Sequence, residues 1–313
     1  MTDQLIPRTF PAPRSISEKA QAWLSIQMPA SPYPDLDDTE GWLQRIKASD
    51  EGLSMFIRSD LPVESEERDI DGVRTYVVRA PDVPNDASTP IYLDIHGGAL
   101  ISGGGEACRS MASGGALTSG MIHWAVDYRM PPLHPYPAPL DDCMTVYRRL
   151  LTERDPADII VGGGSAGGNL SAALIARAKD EGLPMPAGLV LMTPEVDLTE
   201  SGDSFTTNLG LDNILSGSLM PANLLYANGH DLAHPYISPL FADVTGWPTT
   251  FIQAGTRDLF LSNAVRMHRK LRSAGVDAEL HVFEAMPHGG FGGAPEDLEM
   301  AAERRRFLDR VRR

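Results

Sequence analysis

A serine with glycine two residues away on either side, Gly163-Gly164-Ser165-Ala166-Gly167, follows the apolar run Ile159-Ile160-Val161 and precedes Asn169-Leu170-Ser171-Ala172-Ala173-Leu174. This pattern predicts a sharp turn from a buried strand into a helix, with the central hydroxyl pushed out of the sheet. Strand and helix nearly touch at such a turn, so only residues without side chains fit at the two flanking positions. The positive end of the following helix would face an anion formed at the serine. The chemistry offered is attack of Ser165 on an electrophilic carbon.

A serine hydroxyl is a weak nucleophile at neutral pH and needs a base, usually a histidine oriented by a buried carboxylate. The chain holds eight histidines. His268 falls mid-helix among Arg266, Arg269 and Lys270 and reads as solvated, whereas His281 falls within the strand Leu280-His281-Val282-Phe283 and reads as a residue of the sheet face. His288 lies between Met286-Pro287 and Gly289-Gly290, on a loop leaving the last strand, where glycine neighbours would let its ring swing toward the nucleophile. Two carboxylates compete to orient it. Asp258 lies three residues past the end of Thr250-Phe251-Ile252-Gln253-Ala254-Gly255, and Asp197 follows the strand ending at Met192. Asp258 is preferred because its loop neighbours that of His288, and the order Ser165, Asp258, His288 suits a serine elbow on such a sheet.

Attack on a carbonyl also calls for donors to the oxyanion, each worth about 10²–10³-fold in rate. His96-Gly97-Gly98-Ala99 follows the strand Ile91 to Ile95, and its small residues let main-chain N–H groups crowd one oxygen. The Ala166 N–H would complete the set. His96 reads as a hydrogen-bonder that fixes this loop. Ser102-Gly103-Gly104-Gly105 lacks the ending and the helix start of a phosphate cradle. Gly202-Asp203-Ser204-Phe205 has no strand before it and reads as a solvated turn.

Apolar runs at 73–78, 91–95, 122–126, 159–161, 189–192, 250–253 and 279–283 alternate with helical patterns at 138–153, 167–181, 261–274 and 296–312. That rhythm predicts a mainly parallel sheet covered by helices on both faces. Residues 1–50 read as polar and helical, broken from Pro29 to Pro34, with Trp23, Ile26, Met28, Trp42, Leu43 and Ile46 as a face that must dock on something. Residues 196–245 break the rhythm with glycines, prolines and asparagines. Inserted on the side where catalytic loops emerge, they would form a lid together with the N-terminal segment.

The chain has 313 residues, 42% of them hydrophobic, which suits one large α/β domain with insertions. No apolar run approaches the roughly 20 residues of a membrane helix, and Met1 to Arg8 resemble no signal peptide. A net charge of −15 argues against nucleic acid as a partner. Cys108 and Cys143 offer neither a disulfide framework nor metal-ligand spacing and read as reduced core thiols of a cytoplasmic protein. The terminal arginines alternate with Phe307, Leu308 and Val311 as in a final amphipathic helix.

Five blocks in order give the chain its resemblance: Ile95-His96-Gly97-Gly98-Ala99, Asp127 to Ala138, Gly163 to Asn169, Gly255-Thr256-Arg257-Asp258 and Met286-Pro287-His288-Gly289. From about residue 90 to 290 the chain resembles the hormone-sensitive-lipase-like (bacterial family IV) carboxylesterases of the α/β-hydrolase superfamily. The resemblance implies an α/β-hydrolase fold with a helical cap: residues 1–50 and 196–245 as cap, 51–195 and 246–313 as core. It implies Ser165, Asp258 and His288 as catalytic triad, and Gly97, Gly98, Ala99 and Ala166 as oxyanion hole. His134-Pro135-Tyr136-Pro137 would be architectural. The chain departs from the family where Ala99 replaces a usual third glycine and where Gly164 replaces an acidic residue.

The expected activity is hydrolysis of short- to medium-chain acyl esters through an acyl-enzyme, with no metal or cofactor. Lactone opening by the same triad is the nearest alternative, since some relatives hydrolyse lactones. A non-catalytic small-molecule receptor, as among some plant relatives, is the alternative of another class, and a dehydratase on the same fold is a third. Relatives often dimerise through the edge strand near Glu279 to Phe283, which leaves a homodimer open.

Overall fold

The computed structural model describes residues 10–26, 32–54 and 60–312. Met28, the start of the Pro29–Pro34 break and the first eight residues lie outside them. The sheet has eight strands among the described residues: β1 (Glu64–Ile70), β2 (Val73–Arg79), β3 (Ile91–Ile95), β4 (Ile122–Val126), β5 (Ile159–Gly164), β6 (Gly188–Met192), β7 (Thr249–Gly255) and β8 (Ala278–Phe283). Their spatial order is β1-β2-β4-β3-β5-β6-β7-β8. The pairs from β4 through β8 are parallel, while β1 and β2 join as an antiparallel edge.

The parallel strands are apolar runs because helices cover both faces of the sheet. These helices are α3 (Glu106–Ser119), α4 (Ala138–Glu153), α5 (Ala166–Asp180), α8 (Leu261–Ser273) and α9 (Pro295–Val311). Strand β1 was not anticipated. Its sequence Glu-Ser-Glu-Glu-Arg-Asp-Ile is charged and mostly exposed, as suits an edge strand blunted against pairing with other chains, and its register is set by β2. Helix α3 was missed as well. Its Gly114-Gly115 pair weakens any helical signal, yet the helix packs Cys108, Ala112 and Ala116 against Tyr76, Val78 and Ala125 of the sheet. Its start at Glu106 corrects the expectation that no helix follows Gly103 to Gly105.

Helix α5 lies directly behind the serine turn, and twelve of its fifteen residues are buried. Its glycines, alanines and small polar residues let the helix axis approach the sheet closely, which a helix of large side chains could not do. Ser171 satisfies its hydroxyl on the Gly167 carbonyl, one turn back.

Two further pieces meet over the C-terminal ends of the strands. Helices α1 (Glu18–Leu24) and α2 (Thr39–Ser54) come from the N-terminal segment, and α6 (Ser204–Thr207) and α7 (Met220–Ala227) from the stretch between β6 and β7. Trp42 of α2 is fully buried against Ile101 and Ala222, with Ala99 and Leu225 alongside. Asn213 donates to the carbonyls of Trp23 and Ile26, tying the two pieces together. Ile26 and Leu43 do not join the buried face; both are exposed. The stretch 204–212 hydrogen-bonds to the loops after β7 and β8, so it sits on the expected end of the sheet.

Candidate active site

Ser165 occupies the turn between β5 and α5 with φ 56° and ψ −122°. A non-glycine residue held there costs about 1–3 kcal/mol and persists only where its surroundings enforce it. Here they do: a methyl group at Gly163 or at Gly167 would collide with the Ile95 carbonyl oxygen. The Ser165 N–H donates to the Met192 carbonyl (2.8 Å), and its own carbonyl accepts from the N–H groups of Asn169 (3.2 Å) and Glu195 (3.3 Å). The turn is therefore pinned from β3, α5 and the segment after β6 at once.

The glycine loop after β3 packs against this turn. A Cβ at Gly97 would stand 3.3 Å from Ser165 Cβ and 2.9 Å from the Gly164 carbonyl oxygen. Gly98 has φ 127°, and a side chain there would strike the Ser102 carbonyl. Ala99 and Leu100 follow with φ 54° and 64°. Three successive left-handed residues turn the main chain sharply, with Ile101 and Ser102 N–H closing back on the Gly98 carbonyl. Ala166, the first residue of α5, is fully buried beside Ser165. The His96 ring lies under the loop, with Nδ1 2.8 Å from the Gly97 carbonyl and its face stacked on Tyr128 at 4.0 Å. Burial holds this imidazole below the ordinary histidine pKa, which fits the structural part expected of it.

His288 and Asp258 meet at the ends of the adjacent parallel strands β7 and β8. His288 Nδ1 lies 3.1 Å from Asp258 Oδ1, with the carboxylate fully buried and the imidazole nearly so. The two loops are laced together: Thr256 N–H donates to the Phe283 carbonyl, Arg257 N–H to the Met286 carbonyl, and Ala285 N–H to Thr256 Oγ1. Phe260 meets the His288 ring edge-on at 4.9 Å. The ring is thus held at Nδ1 by Asp258 and bordered by Phe260. No hydrogen bond joins Ser165 Oγ to His288 among the described residues. In enzymes without substrate such contacts are often long and tighten later.

Asp197 does not reach His288. Its buried carboxylate accepts from Thr199 and Ser201 and pairs with Arg266 at 2.6 Å, organising the start of the inserted stretch. Two other expectations are corrected. Ser204 is buried at the start of α6, donating to the Leu259 carbonyl and accepting from Ser262 N–H, so Gly202 to Phe205 is no solvated turn. His268 is half-buried with Nε2 3.2 Å from the Ala278 carbonyl, not solvated. His281 stacks on Phe251 in the sheet, as expected.

Three polar residues that sequence reasoning missed crowd the pair. Asn208 donates to the carbonyls of Thr256 and Asp258. The buried Asp212 accepts from the N–H groups of Leu259 and His288. Glu195 is fully buried, with Oε1 bound by Asn223 Nδ2 at 3.0 Å and Oε2 without a hydrogen-bond partner among the described residues. Burial pushes its carboxyl pKa up to about 8. Burial pulls the His288 imidazole downward, but Asp258, Asp212 and Glu195 outweigh it and hold the ring above the ordinary histidine value. Nothing in the sequence marks these three residues, which sit outside the regular strands and helices. A groove of about 560 Å³ lies between the N-terminal segment (Tyr33, Leu36) and the stretch between β6 and β7 (Met220, Leu224), and touches none of Ser165, Asp258 or His288.

The model of the alpha/beta hydrolase fold family matches residues 92–291, spanning the glycine loop, the serine turn and His288. Among curated proteins, the chain is 34% identical over 218 residues to an esterase of Acinetobacter venetianus, covering 68% of this chain and 72% of that one. It is 31% identical over 243 residues to a carboxylesterase of Mycobacterium tuberculosis, covering 74% and 76%. Among solved structures, the esterase E25 superposes with a TM-score of 0.89 at 38% identity over 99% of both chains. An esterase of the bacterial hormone-sensitive lipase family superposes with a TM-score of 0.83 at 30% identity over 94% of this chain and 98% of that one. The chain therefore belongs to the α/β-hydrolase fold family, in its hormone-sensitive-lipase-like branch of carboxylesterases.

Proposed function

We propose that this chain hydrolyses short- to medium-chain carboxylic esters by way of an acyl group on Ser165. The observation that carries the reading is the buried His288–Asp258 hydrogen bond, at the same strand ends as the strained Ser165 turn. With Nδ1 held by Asp258, His288 keeps Nε2 for the serine proton. Ser165 Oγ attacks the ester carbonyl carbon, its proton passes to His288, and the carbonyl oxygen becomes an oxyanion. The main-chain N–H groups of Gly98, Ala99 and Ala166 receive that charge, with Gly97 shaping the loop. Their worth lies in being fixed before reaction, so that no dipole has to reorient as the charge forms. The C–O bond to the alcohol then breaks and His288 protonates the leaving oxygen. Water, deprotonated by His288, repeats the sequence on the acyl-enzyme and releases the acid.

Residues 1–50 and 196–245 act as the cap, a reading supported by the Asn213 bonds to the first helix and by Trp42 packing beside Ala99 and Ala222. The apolar crowding near Ala99, from Trp42 on one side and Phe260 and Leu259 on the other, favours short acyl chains over long ones. No described helix is long and apolar enough to cross a membrane. A cytoplasmic location is supported by the buried unpaired thiols Cys108 and Cys143. A homodimer through β8 is supported by its place at the sheet edge with Val282 exposed.

The test is acid quenching during turnover of p-nitrophenyl butyrate, followed by intact mass and peptide mapping. A butyryl group on the peptide holding Ser165 is the expected result. An acyl group on another residue, or turnover without any covalent species when release is slowed at low temperature, would overturn the reading.

A further inference from the structure

We infer that Asp212, from the stretch between β6 and β7, is a positioning residue for the proton-transfer half of the site, joining the Asp258 and His288 loops through one buried carboxylate. The inference rests on the triad reading and adds to it a residue outside the triad.

The geometry singles out this side chain. Asp212 Oδ2 accepts the N–H of Leu259, the residue after Asp258, at 2.9 Å, and the N–H of His288 itself at 3.3 Å. Oδ1 accepts from Ile214 and Leu215 at 3.0 and 3.1 Å, with His288 N–H at 3.4 Å. The residue is 1% exposed, so these N–H groups have no water to turn to if the carboxylate is lost. The main chains on either side of the 3.1 Å Asp258–His288 bond are therefore held by one anion. Asn208, four residues earlier, grips the Asp258 carbonyl at 2.8 Å, and Ser204 grips that of Leu259 at 2.7 Å. Three side chains of one short segment thus cradle the loop that carries the acid, and Asp212 alone of them reaches the histidine.

The carboxylate also carries charge. Asp258 from the loop after β7 and Asp212 from the inserted stretch act on the His288 imidazole as anions, whereas Glu195 from the segment after β6, whose carboxyl titrates near 8, adds its charge only toward higher pH. A neighbouring anion favours the imidazolium that forms as Ser165 attacks. The same segment bonds to the first helix through Asn213, next in sequence. Displacement of the cap would therefore reach the histidine through two consecutive residues.

The experiment compares wild type, Asp212→Asn, Asp212→Glu and Ser165→Ala on p-nitrophenyl butyrate from about pH 5 to about pH 9, with thermal melts of each. Asp212→Asn keeps the size and removes the charge. Its kcat is expected to fall by about 10- to 100-fold, the usual cost of a slightly misplaced catalytic group, with KM within a few-fold of wild type. The acid limb of its kcat profile is expected to move to lower pH. Asp212→Glu keeps the charge but cannot hold both loops in register, so its kcat should fall while its acid limb stays near that of wild type. A purely structural Asp212 would lower the melting temperature and leave kcat and the acid limb of the folded enzyme unchanged, which would overturn the inference. If Asp212→Asn does not fold, kcat of Asp212→Glu, corrected by active-site titration, decides: an undiminished value overturns the inference. Activity in Ser165→Ala would overturn the triad reading itself, whereas an inactive Ser165→Ala beside an unaffected Asp212→Asn would overturn only the part given to Asp212.

Discussion

His288 Nδ1 and Asp258 Oδ1 lie 3.1 Å apart on loops that leave the neighbouring parallel strands β8 and β7. Strand adjacency brings together residues thirty positions apart in sequence, and the lacing between Thr256, Arg257, Phe283 and Met286 keeps them there. An acid on the loop after β6 would start one strand further away, and Asp197, which does so, pairs with Arg266 instead.

Exchange of the two acids for asparagine separates their parts. Asp258→Asn is expected to lower kcat by up to about 10⁴-fold, because the amide can stabilise neither the correct tautomer nor the imidazolium. Asp197→Asn removes hydrogen bonds worth about 1–3 kcal/mol to a buried carboxylate, so its effect should appear in the melting temperature with kcat within a few-fold of wild type. Steady-state kinetics and melts on both variants check this, and a reversal would give the catalytic carboxylate to Asp197.

The acidic side of the pH profile follows from His288. In the proposed mechanism His288 must be neutral to take the serine proton, and its carboxylate neighbours hold the protonated form to a higher pH than in an isolated histidine. Activity should therefore be lost as pH falls through a midpoint above the usual value of about 6.5. A kcat/KM profile measured on p-nitrophenyl acetate locates the midpoint, and a limb below that value would contradict the electrostatics described here.

Glu195 predicts a stability effect of opposite chemical origin. Its carboxyl titrates near 8 in the folded chain because of burial, against about 4.3 when unfolded. The folded state thus binds the extra proton between these values, and stability is lost as pH rises from the lower through the higher. Glu195→Gln cannot ionise, so its melting temperature relative to wild type should climb from about pH 5 to about pH 8 and then level off. A difference independent of pH would show that Glu195 is ionised throughout.

The glycines around Ser165 are not equivalent. A Cβ at Gly164 would find the Met192 carbonyl at an ordinary 3.7 Å, so Gly164→Asp should fold. Gly167→Ala would drive a methyl into the Ile95 carbonyl and should cost about 1–3 kcal/mol or more. Denaturant melts of the two variants distinguish them, and equal stability would mean that strand and helix are further apart than described.

The sequence displayed the parts of this site that depend on local rules. Gly163 and Gly167 announce the close strand–helix approach, the apolar runs announce parallel strands, and the loop positions of Asp258 and His288 follow from strand ends. Strand β1 escaped because its pairing, not its charged side chains, makes it a strand. Helix α3 escaped because Gly114 and Gly115 mask a helix that tertiary packing stabilises. Asp212, Asn208 and Glu195 escaped for a different reason. Their significance lies in buried hydrogen bonds that span 28 to 76 residues of chain, which no local spacing encodes.

The most direct test is the rate of hydrolysis of p-nitrophenyl esters from acetate to laurate by wild type, Ser165→Ala, His288→Ala and the double variant. Wild-type turnover should peak at short acyl chains, each single variant should lose about 10³–10⁶ in kcat, and the double variant little more, because the residues act as one unit. Turnover retained in Ser165→Ala, or losses that multiply in the double variant, would contradict the account.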